Sequence, residues 1–322
     1  MSGPLNRKYW SEGWLLFVAC AIGVVSFCWF RTWVVGELDT SQFRQIIDLL
    51  PQDWRKFASV DFDWLVSYLG RTALALDEPM LVLFVSGWVL VRGSDVVSGE
   101  LGRGTMEMLL AQPVSRRQVF LNHAFWTIVG LTILMVLCWL AMAVGIWTAS
   151  VEETSYPVLR IPIVDYRIPL TFLPEQTETI RMSDEVNPIM FLPGIVNLWF
   201  LGWFLAGFAA MLSAFDRFRW RTLGLVSAFY FSNAGLKILG MSSEKLAWVK
   251  QLSIFGFYSP ASVIERTQAN AFSLLHIFKY APDGQIKGLA LLGSCLMLFV
   301  IGLVCYVIGL RRFESRDLPA PM

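Results

Sequence analysis

Long apolar stretches, separated by shorter polar ones, dominate the pattern of this 322-residue chain. A helix that crosses a bilayer needs about 20 mostly apolar residues, because the hydrocarbon is about 30 Å thick and each residue rises about 1.5 Å. The pattern predicts an all-α integral membrane protein with six transmembrane helices. The predicted spans are Trp14–Val35, Pro79–Ser98, Ala124–Ala149, Ile189–Phe215, Thr222–Met241 and Gly288–Leu310.

Charged residues complicate two of these spans. The second has a short uncharged part, Met80–Val91, and then Arg92 and Asp95. A segment this short also suits a buried core helix, so its assignment depends on its neighbours. Arg92 and Asp95 are three positions apart and can pair on a helix, and as charges near the membrane interior they are also candidates for a direct role in gating. In the fifth span we expect Lys237 to extend toward the nearer interface.

Basic residues predict which connections face the cytoplasm. They crowd the N-terminus, the segment between spans two and three, the tight link between spans four and five, and the C-terminus. By the positive-inside rule these parts, including both termini, are cytoplasmic in a cell membrane. The basic residues are Arg7, Lys8, Arg92, Arg103, Arg116, Arg117, Arg217, Arg219, Arg221, Arg311, Arg312 and Arg316.

The other three connections are long and are predicted to be extracytoplasmic. Gly36–Glu78 contains apolar and aromatic residues spaced as in amphipathic helices at the outer interface. Ser150–Pro188 contains five prolines, which favour short extended pieces over a long helix. The third is Ser242–Lys287. The sequence shows neither internal repeats nor a second soluble domain, so residues 1–322 are predicted to form one polytopic membrane domain without a nucleotide-binding domain.

Composition supports a lipid environment. Hydrophobic residues make up 56% of the chain and charged residues 16%, against about 45–50% and about 25% in soluble proteins. A net charge of +1 excludes nucleic acid as a partner, because that role requires a strongly basic face. The five cysteines lie in apolar stretches without CxxC spacing and are predicted to be small core residues.

The polar segment between spans two and three predicts a short amphipathic helix, Glu100–Ala111. Leu101, Thr105 and Met108 share one helical face, with Leu109 beside them. Pro113 ends the helix, because the residue before a proline is forced out of the α region. The charged residues that point to the opposite face are Glu100, Arg103 and Glu107.

The residue types of this segment are more specific than its periodicity. An acidic residue, Gly-Thr, a second acid, Leu-Leu, Pro and Ser-Arg follow one another as Glu100, Gly104, Thr105, Glu107, Leu109, Leu110, Pro113, Ser115 and Arg116. This order resembles the signature of ABC exporter permeases of the type-two class. In that family the segment is the coupling helix that docks on the ATP-binding subunit. The resemblance implies that these residues, together with Arg103, contact an ATPase. The basic tail, residues 312–319, is also similar to the family's ending.

Such a permease requires a separate source of ATP hydrolysis. The sequence has no GxxxxGK[ST] phosphate loop, so the chain is predicted to be no enzyme, and ATP and Mg²⁺ are predicted to be bound by a partner ATPase. Two permease chains normally line one pathway, which implies a homodimer or a pair with a second permease. No catalytic residue, cofactor site or metal site is predicted, and His123 is interpreted as a polar residue at the lipid interface.

These observations predict the permease subunit of an ATP-driven transporter, with export as the favoured direction. Two alternatives come from other classes. An ion-driven secondary carrier usually carries acidic residues deep within its spans and has repeat symmetry, neither of which this sequence shows. A membrane scaffold or assembly factor would bind an ATPase without transporting anything.

Overall fold

The computed structural model of the protein describes residues 3–37, 60–155, 158–161, 166–169, 176–242, 246–280 and 286–316. Its α-helices are α1 Gly3–Glu37, α2 Phe62–Val66, α3 Tyr68–Ala73, α4 Pro79–Ser94, α5 Glu100–Gly102, α6 Thr105–Leu110, α7 Arg116–Thr148, α8 Met182–Glu185, α9 Leu192–Phe215, α10 Arg219–Ser242, α11 Ala247–Leu252, α12 Pro260–Ala269 and α13 Leu291–Ser315. Single 3₁₀ turns cover Leu74–Leu76, Pro188–Phe191, Ile254–Phe257 and Ala271–Leu275.

Six of these helices, α1, α4, α7, α9, α10 and α13, form the long apolar segments that were predicted, which confirms the all-α membrane fold. Several reach beyond the predicted limits. The first helix begins at Gly3 instead of Trp14, and the third begins at Arg116 instead of Ala124. Hydropathy detects only the part of a helix that suits hydrocarbon, whereas these helices continue with polar turns.

The fourth spanning helix, α9, lies at the centre of the bundle. It packs on α4, α7 and α13, whereas α1 and α10 are the least buried spans. Small residues bring α9 close to α13: a Cβ added at Gly207 would lie 2.6 Å from the carbonyl oxygen of Gly302. Close backbone approach of this kind is how membrane helices gain contact area, since lipid supplies no hydrophobic drive for their association.

Four parts of the chain meet at one end of the bundle, here called the basic end. Lys8 of α1 contacts Glu100, Arg219 of α10 contacts Asp95, and Arg316, after α13, donates to the carbonyl oxygen of Asp216 at 2.9 Å. These are the parts whose basic residues predicted a shared side.

Residues 60–78, 246–280 and 286–290 lie at the opposite end. Helix α3 packs against α12, and Trp64 Nε1 donates to Gln268 Oε1 at 2.7 Å. Tyr258 donates its hydroxyl to the carbonyl oxygen of Leu76, and burial raises the pKa of this phenol well above its ordinary value. Lys237 extends to this end as predicted, where Nζ donates to the carbonyl oxygen of Tyr258 at 3.0 Å.

The part of Gly36–Glu78 that can be described is helical, as predicted, in α2 and α3, and it packs against other parts of the protein. Tyr68 and Leu69 are buried, because α3 packs against the spanning helix α1 and against α12. The remainder of this connection, residues 38–59, lies outside the described residues.

Short strands occupy the proline-rich connection, which confirms the predicted extended pieces. The first, β1 Ser150–Ser155, pairs antiparallel with β4 Gln176–Arg181 and places Ser150 opposite Arg181. Strand β2 Val158–Ile161 pairs with β3 Tyr166–Pro169 in the same manner. A third pair, β5 Phe278–Tyr280 and β6 Ile286–Leu289, precedes α13. All five cysteines are buried and unbridged, as predicted.

Candidate functional site

The segment between the second and third spanning helices, residues 95–118, contains the predicted short helix in two pieces. It begins with a π turn, Asp95–Gly99, which continues into α5. Gly104 then interrupts the helix with a φ of +70°, and α6 starts at the next residue. A positive φ favours glycine, because a Cβ would be strained there. The break changes which side chains share a face, so the predicted face assignment does not hold throughout.

Glu100 is the clearest departure. It was predicted to be exposed toward a partner, and this is wrong: the residue is fully buried. Lys8 Nζ lies 2.6 Å from Oε1, the Thr105 hydroxyl donates to Oε2, and Arg103 Nη2 lies 3.4 Å from Oε1. Removing a carboxylate from water is costly unless opposite charge and hydrogen bonds replace the solvent. Glu100 therefore has an internal role, joining the 95–118 segment to the first turns of α1.

Asp95 forms a second centre of charge beside it. Arg103 binds both carboxylate oxygens, at 2.8 and 3.3 Å, and Arg219 Nε lies 3.4 Å from Oδ1. Arg92, its predicted partner, lies 4.0 Å away and donates instead to the carbonyl oxygen of Tyr9 at 3.2 Å. The predicted pair is present as the longest link of a network. Burial alone would lower the pKa of Arg103, but the hydrogen bond to Asp95 and the nearby carboxylates raise it above its ordinary value.

The π turn is held by a serine from the centre of the bundle. A π turn leaves backbone groups without their usual helical partners. The hydroxyl oxygen of Ser213 on α9 accepts from the backbone N–H groups of Val97 and Ser98, at 3.0 and 2.9 Å. Ser213 in turn donates to the carbonyl oxygen of Ser94 at 2.8 Å. One buried hydroxyl thus fixes the end of the second span, where the π turn lies, to the fourth span.

An apolar contact holds the other half of the segment. Leu109 is buried with Leu5 and Tyr9 of α1 and with Val119 of α7, and Leu110 packs at its edge. Leu109, which the resemblance placed at the contact with the ATPase, is therefore an internal packing residue. Met108 was predicted to share the apolar face, but 71% of its surface is exposed, because α6 is turned relative to α5 by the break at Gly104.

The rest of the segment presents a small continuous exposed surface, which we call the outer face. It contains one acidic, one basic and one large apolar side chain. The glycines, which have no side chain, leave part of its backbone exposed. Of the predicted docking residues, Arg103, Gly104, Glu107, Pro113 and Ser115 are exposed, whereas Thr105, Leu110 and Arg116 are half-buried. The outer face consists of Gly102, Arg103, Gly104, Glu107, Met108, Ala111, Gln112 and Pro113.

Comparison with known families identifies the family of membrane proteins to which this chain belongs. The sequence model of the ABC-2 family of transporter proteins matches residues 36–318, most of the chain. This chain belongs to the ABC-2 transporter family. It is a multi-pass membrane component of an ABC transporter, a class that works with an ATPase subunit. No curated protein sequence matches it.

Arg116 of this permease makes internal contacts at the basic end. Its Nη1 donates to the carbonyl oxygens of Glu314 and Arg316, at 3.2 and 2.5 Å, where α13 ends. A cation at a helix C-terminus satisfies carbonyls that lack intrahelical partners. Ser115 is the N-cap of α7 and forms a capping box with Gln118. Both residues of the predicted Ser-Arg pair therefore shape the entry into the third span.

Sequence reasoning missed several residues of this site. Lys8, Ser213 and Arg219 were not assigned to it, and the only signal was the basic charge of the first and last. His123 was interpreted as a residue at the lipid interface, which is wrong. It is fully buried and packs edge-on against Tyr9, with ring centroids 4.9 Å apart. Neither ring nitrogen of His123 has a hydrogen-bond partner among the described residues.

Proposed function

We propose that this permease forms the membrane pathway of an ATP-driven exporter and that a separate ATPase subunit docks on the outer face. One observation carries the proposal: the segment is exposed on one side and tied to several spans on the other. Its buried side reaches α1 through Lys8, α9 through Ser213 and α10 through Arg219. A partner that displaces this segment therefore acts on three spanning helices at once.

The docking energy is expected to come from the outer face alone. Met108 and Glu107 project next to each other, and Gln112 and Pro113 extend the surface toward α7. An exposed apolar side chain surrounded by polar groups is a typical centre of a protein contact. Glu100 acts through its internal contacts and does not touch the partner. Coupling between ATP turnover and transport then requires only that the ATPase prefers one arrangement of the segment.

The working complex is expected to contain two permease chains and two ATPase subunits. The two permeases are copies of this chain or this chain and a second permease. The basic end lies in the cytoplasm, because short connections rich in Arg and Lys remain on that side of a cell membrane. ATP and Mg²⁺ are bound by the ATPase.

Co-purification with the ATP-binding cassette protein encoded nearest to this chain tests the proposal. Glu107→Lys combined with Met108→Asp should weaken retention of the ATPase at least about tenfold, because it introduces repulsion and a buried charge at the contact. Glu185→Lys makes the same Glu→Lys exchange as the first of these two substitutions, on an exposed residue of α8 at the opposite end, and should have no effect.

Transport by both variants is measured in parallel in liposomes. Loss of retention and transport together supports an ATPase-coupled permease. Full transport without any ATPase would establish an ion-driven carrier instead. ATPase binding without substrate-dependent ATP turnover or transport by the wild-type complex would establish a scaffold. Normal retention of the double variant would show that docking occurs elsewhere.

A further inference from the structure

Buried polar atoms without partners gather where α1, α4 and α7 meet near the basic end. The hydroxyl of Tyr9, Nε of Arg92, Oδ1 of Asn122 and both ring nitrogens of His123 have no hydrogen-bond partner among the described residues. Each of these four side chains belongs to a residue that is more than nine-tenths buried. They share one junction: the ring centroids of Tyr9 and His123 are 4.9 Å apart, and Arg92 Nη2 donates to the carbonyl oxygen of Tyr9 at 3.2 Å.

The closed packing of this junction is costly. A buried polar atom that lacks a partner has given up its hydrogen bonds to water and gained none in return, and folded proteins satisfy most such atoms. Separation of the helices and entry of water would remove this cost. His123 lies about 10 Å along α7 from Arg116, where that helix begins, so water has only about two helical turns to cross.

The same pair of helices, α1 and α7, is closely packed toward the opposite end. Cys28 and Cys138 are fully buried, with their sulfur atoms 3.5 Å apart. One turn further along α1, Thr32 lies so close to α7 that a Cβ added at Gly145 would be 2.8 Å from the Cβ of Thr32. Since α1 is also among the least buried spans, these contacts favour a motion in which α1 pivots near Cys28 and separates from α7 at the basic end.

Leu109 covers the junction on the side of the basic end. Its side chain packs with Tyr9 on α1 and with Val119 on α7. Val119 lies one helical turn before His123, so this apolar contact separates the polar atoms from the end of the bundle. Because Leu109 belongs to the 95–118 segment, displacement of that segment removes the cover.

We propose that this junction is a water gate: when the 95–118 segment moves, α1 separates from α7 at the basic end, and water binds to the polar atoms of Tyr9, Arg92 and His123. The gate rests on the proposed function only for the agent that moves the segment, which is the ATPase. Thermal motion opens the gate to a smaller extent in the permease alone. A test on the permease alone therefore distinguishes failure of the gate from failure of ATPase docking.

A cysteine one turn deeper on α7 reports the entry of water. Thr127 is buried and donates its hydroxyl to the carbonyl oxygen of His123 at 3.0 Å, and Thr127→Cys is close to isosteric. Thr32→Cys is the matched control, because Thr32 is buried in the same helix pair and donates to the carbonyl oxygen of Cys28 at 2.8 Å.

The purified permease in detergent is treated with hydroxyethyl methanethiosulfonate, a hydrophilic thiol reagent without charge, so the basic residues do not bias its approach. Thr127→Cys should react at least about tenfold faster than Thr32→Cys, which is within the range expected when water reaches one otherwise unpaired polar group. The native cysteines are all buried and should contribute a low background.

Two further substitutions in the Thr127→Cys protein test the parts of the gate. Leu109→Ala removes the cover and should raise the reaction rate, whereas Leu121→Ala, the same truncation at an exposed position of α7, should not. Tyr9→Phe deletes only the unpaired hydroxyl. It should lower the reaction rate and raise the melting temperature, because the closed junction then contains one unpaired group fewer.

Equal reaction rates for Thr127→Cys and Thr32→Cys would overturn the gate. A rate that Leu109→Ala leaves unchanged would do the same. A lower melting temperature for Tyr9→Phe would show that the hydroxyl is bonded in the closed junction, which also contradicts the proposal. If Leu109→Ala does not fold, the two cysteine reporters and Tyr9→Phe still decide the outcome.

Discussion

Lys8 and Glu100 form an ion pair, with Nζ 2.6 Å from Oε1, between the N-terminal part of the first spanning helix and the segment that follows the second. The two residues lie 92 positions apart in the chain. The carboxylate is completely enclosed, whereas about a quarter of the Lys8 side chain remains exposed. Substitution of the two partners should therefore have unequal effects.

Lys8→Met should be the more damaging change. It leaves an enclosed carboxylate without its closest counter-charge and should lower the free energy of unfolding by about 3 kcal/mol. Glu100→Gln leaves a lysine that can turn toward solvent, and should lower it by about 1–2 kcal/mol. Denaturant titration in detergent measures both, and the combined variant should lose less than the sum. Strict additivity would show that the pair contributes nothing.

Ser213→Ala should loosen the π turn. It leaves the amides of Val97 and Ser98 buried without acceptors, at an expected cost of about 1–3 kcal/mol. Hydrogen exchange at these two amides should become faster, while exchange in α4 should be unchanged. Ser232→Ala, at an exposed position of α10, is the matched control. Unaltered protection of both amides would mean that the serine does not hold the turn.

Gly207→Ala should disturb the contact between α9 and α13. The new methyl group would lie 2.6 Å from a backbone oxygen of Gly302, so the helices must separate, at about 1–3 kcal/mol. Gly235→Ala provides the comparison, because no atom lies within 4 Å of its added Cβ. Gly235→Ala should leave the stability of the protein unchanged or raise it slightly, because alanine has a higher helix propensity than glycine. In thermal denaturation in detergent, Gly207→Ala should melt at a lower temperature than the wild type. Gly235→Ala should melt at the same temperature as the wild type or at a higher one. Equal melting temperatures for both variants would contradict the close contact.

The orientation of the bundle is measured by cysteine labelling in intact cells. Gln112→Cys should be protected from a membrane-impermeant reagent, since short basic connections face the cytoplasm. Thr179→Cys, an exposed position on β4, should be labelled. The native cysteines are all buried, so the background should be low. The reverse labelling pattern would invert the topology.

The spanning helices could be predicted because their signal is local: each long apolar run is visible within its own sequence. The surroundings of Glu100 could not be predicted in this way. Its counter-charge lies on another helix, and the direction in which its side chain points depends on the π turn that precedes it. The glycines at 102 and 104 could have indicated a break, since glycine interrupts helical patterns. Ser213 carried no signal at all, because a serine within an apolar span has many other uses.

The π turn at Asp95–Gly99 determines how far the residues after it are rotated about the axis of the second span. A π turn uses about one residue more than an α turn, and one residue corresponds to about 100° of rotation. If the same five residues were wound as an uninterrupted α-helix, Glu100 would point about a quarter of a circle away from Lys8. Hydropathy along the span would be identical in both windings. The direction in which the Glu100 carboxylate points around the helix axis thus depends on the π turn, which the hydroxyl of Ser213 maintains. The attachment of the first helix through Lys8 depends on the same turn.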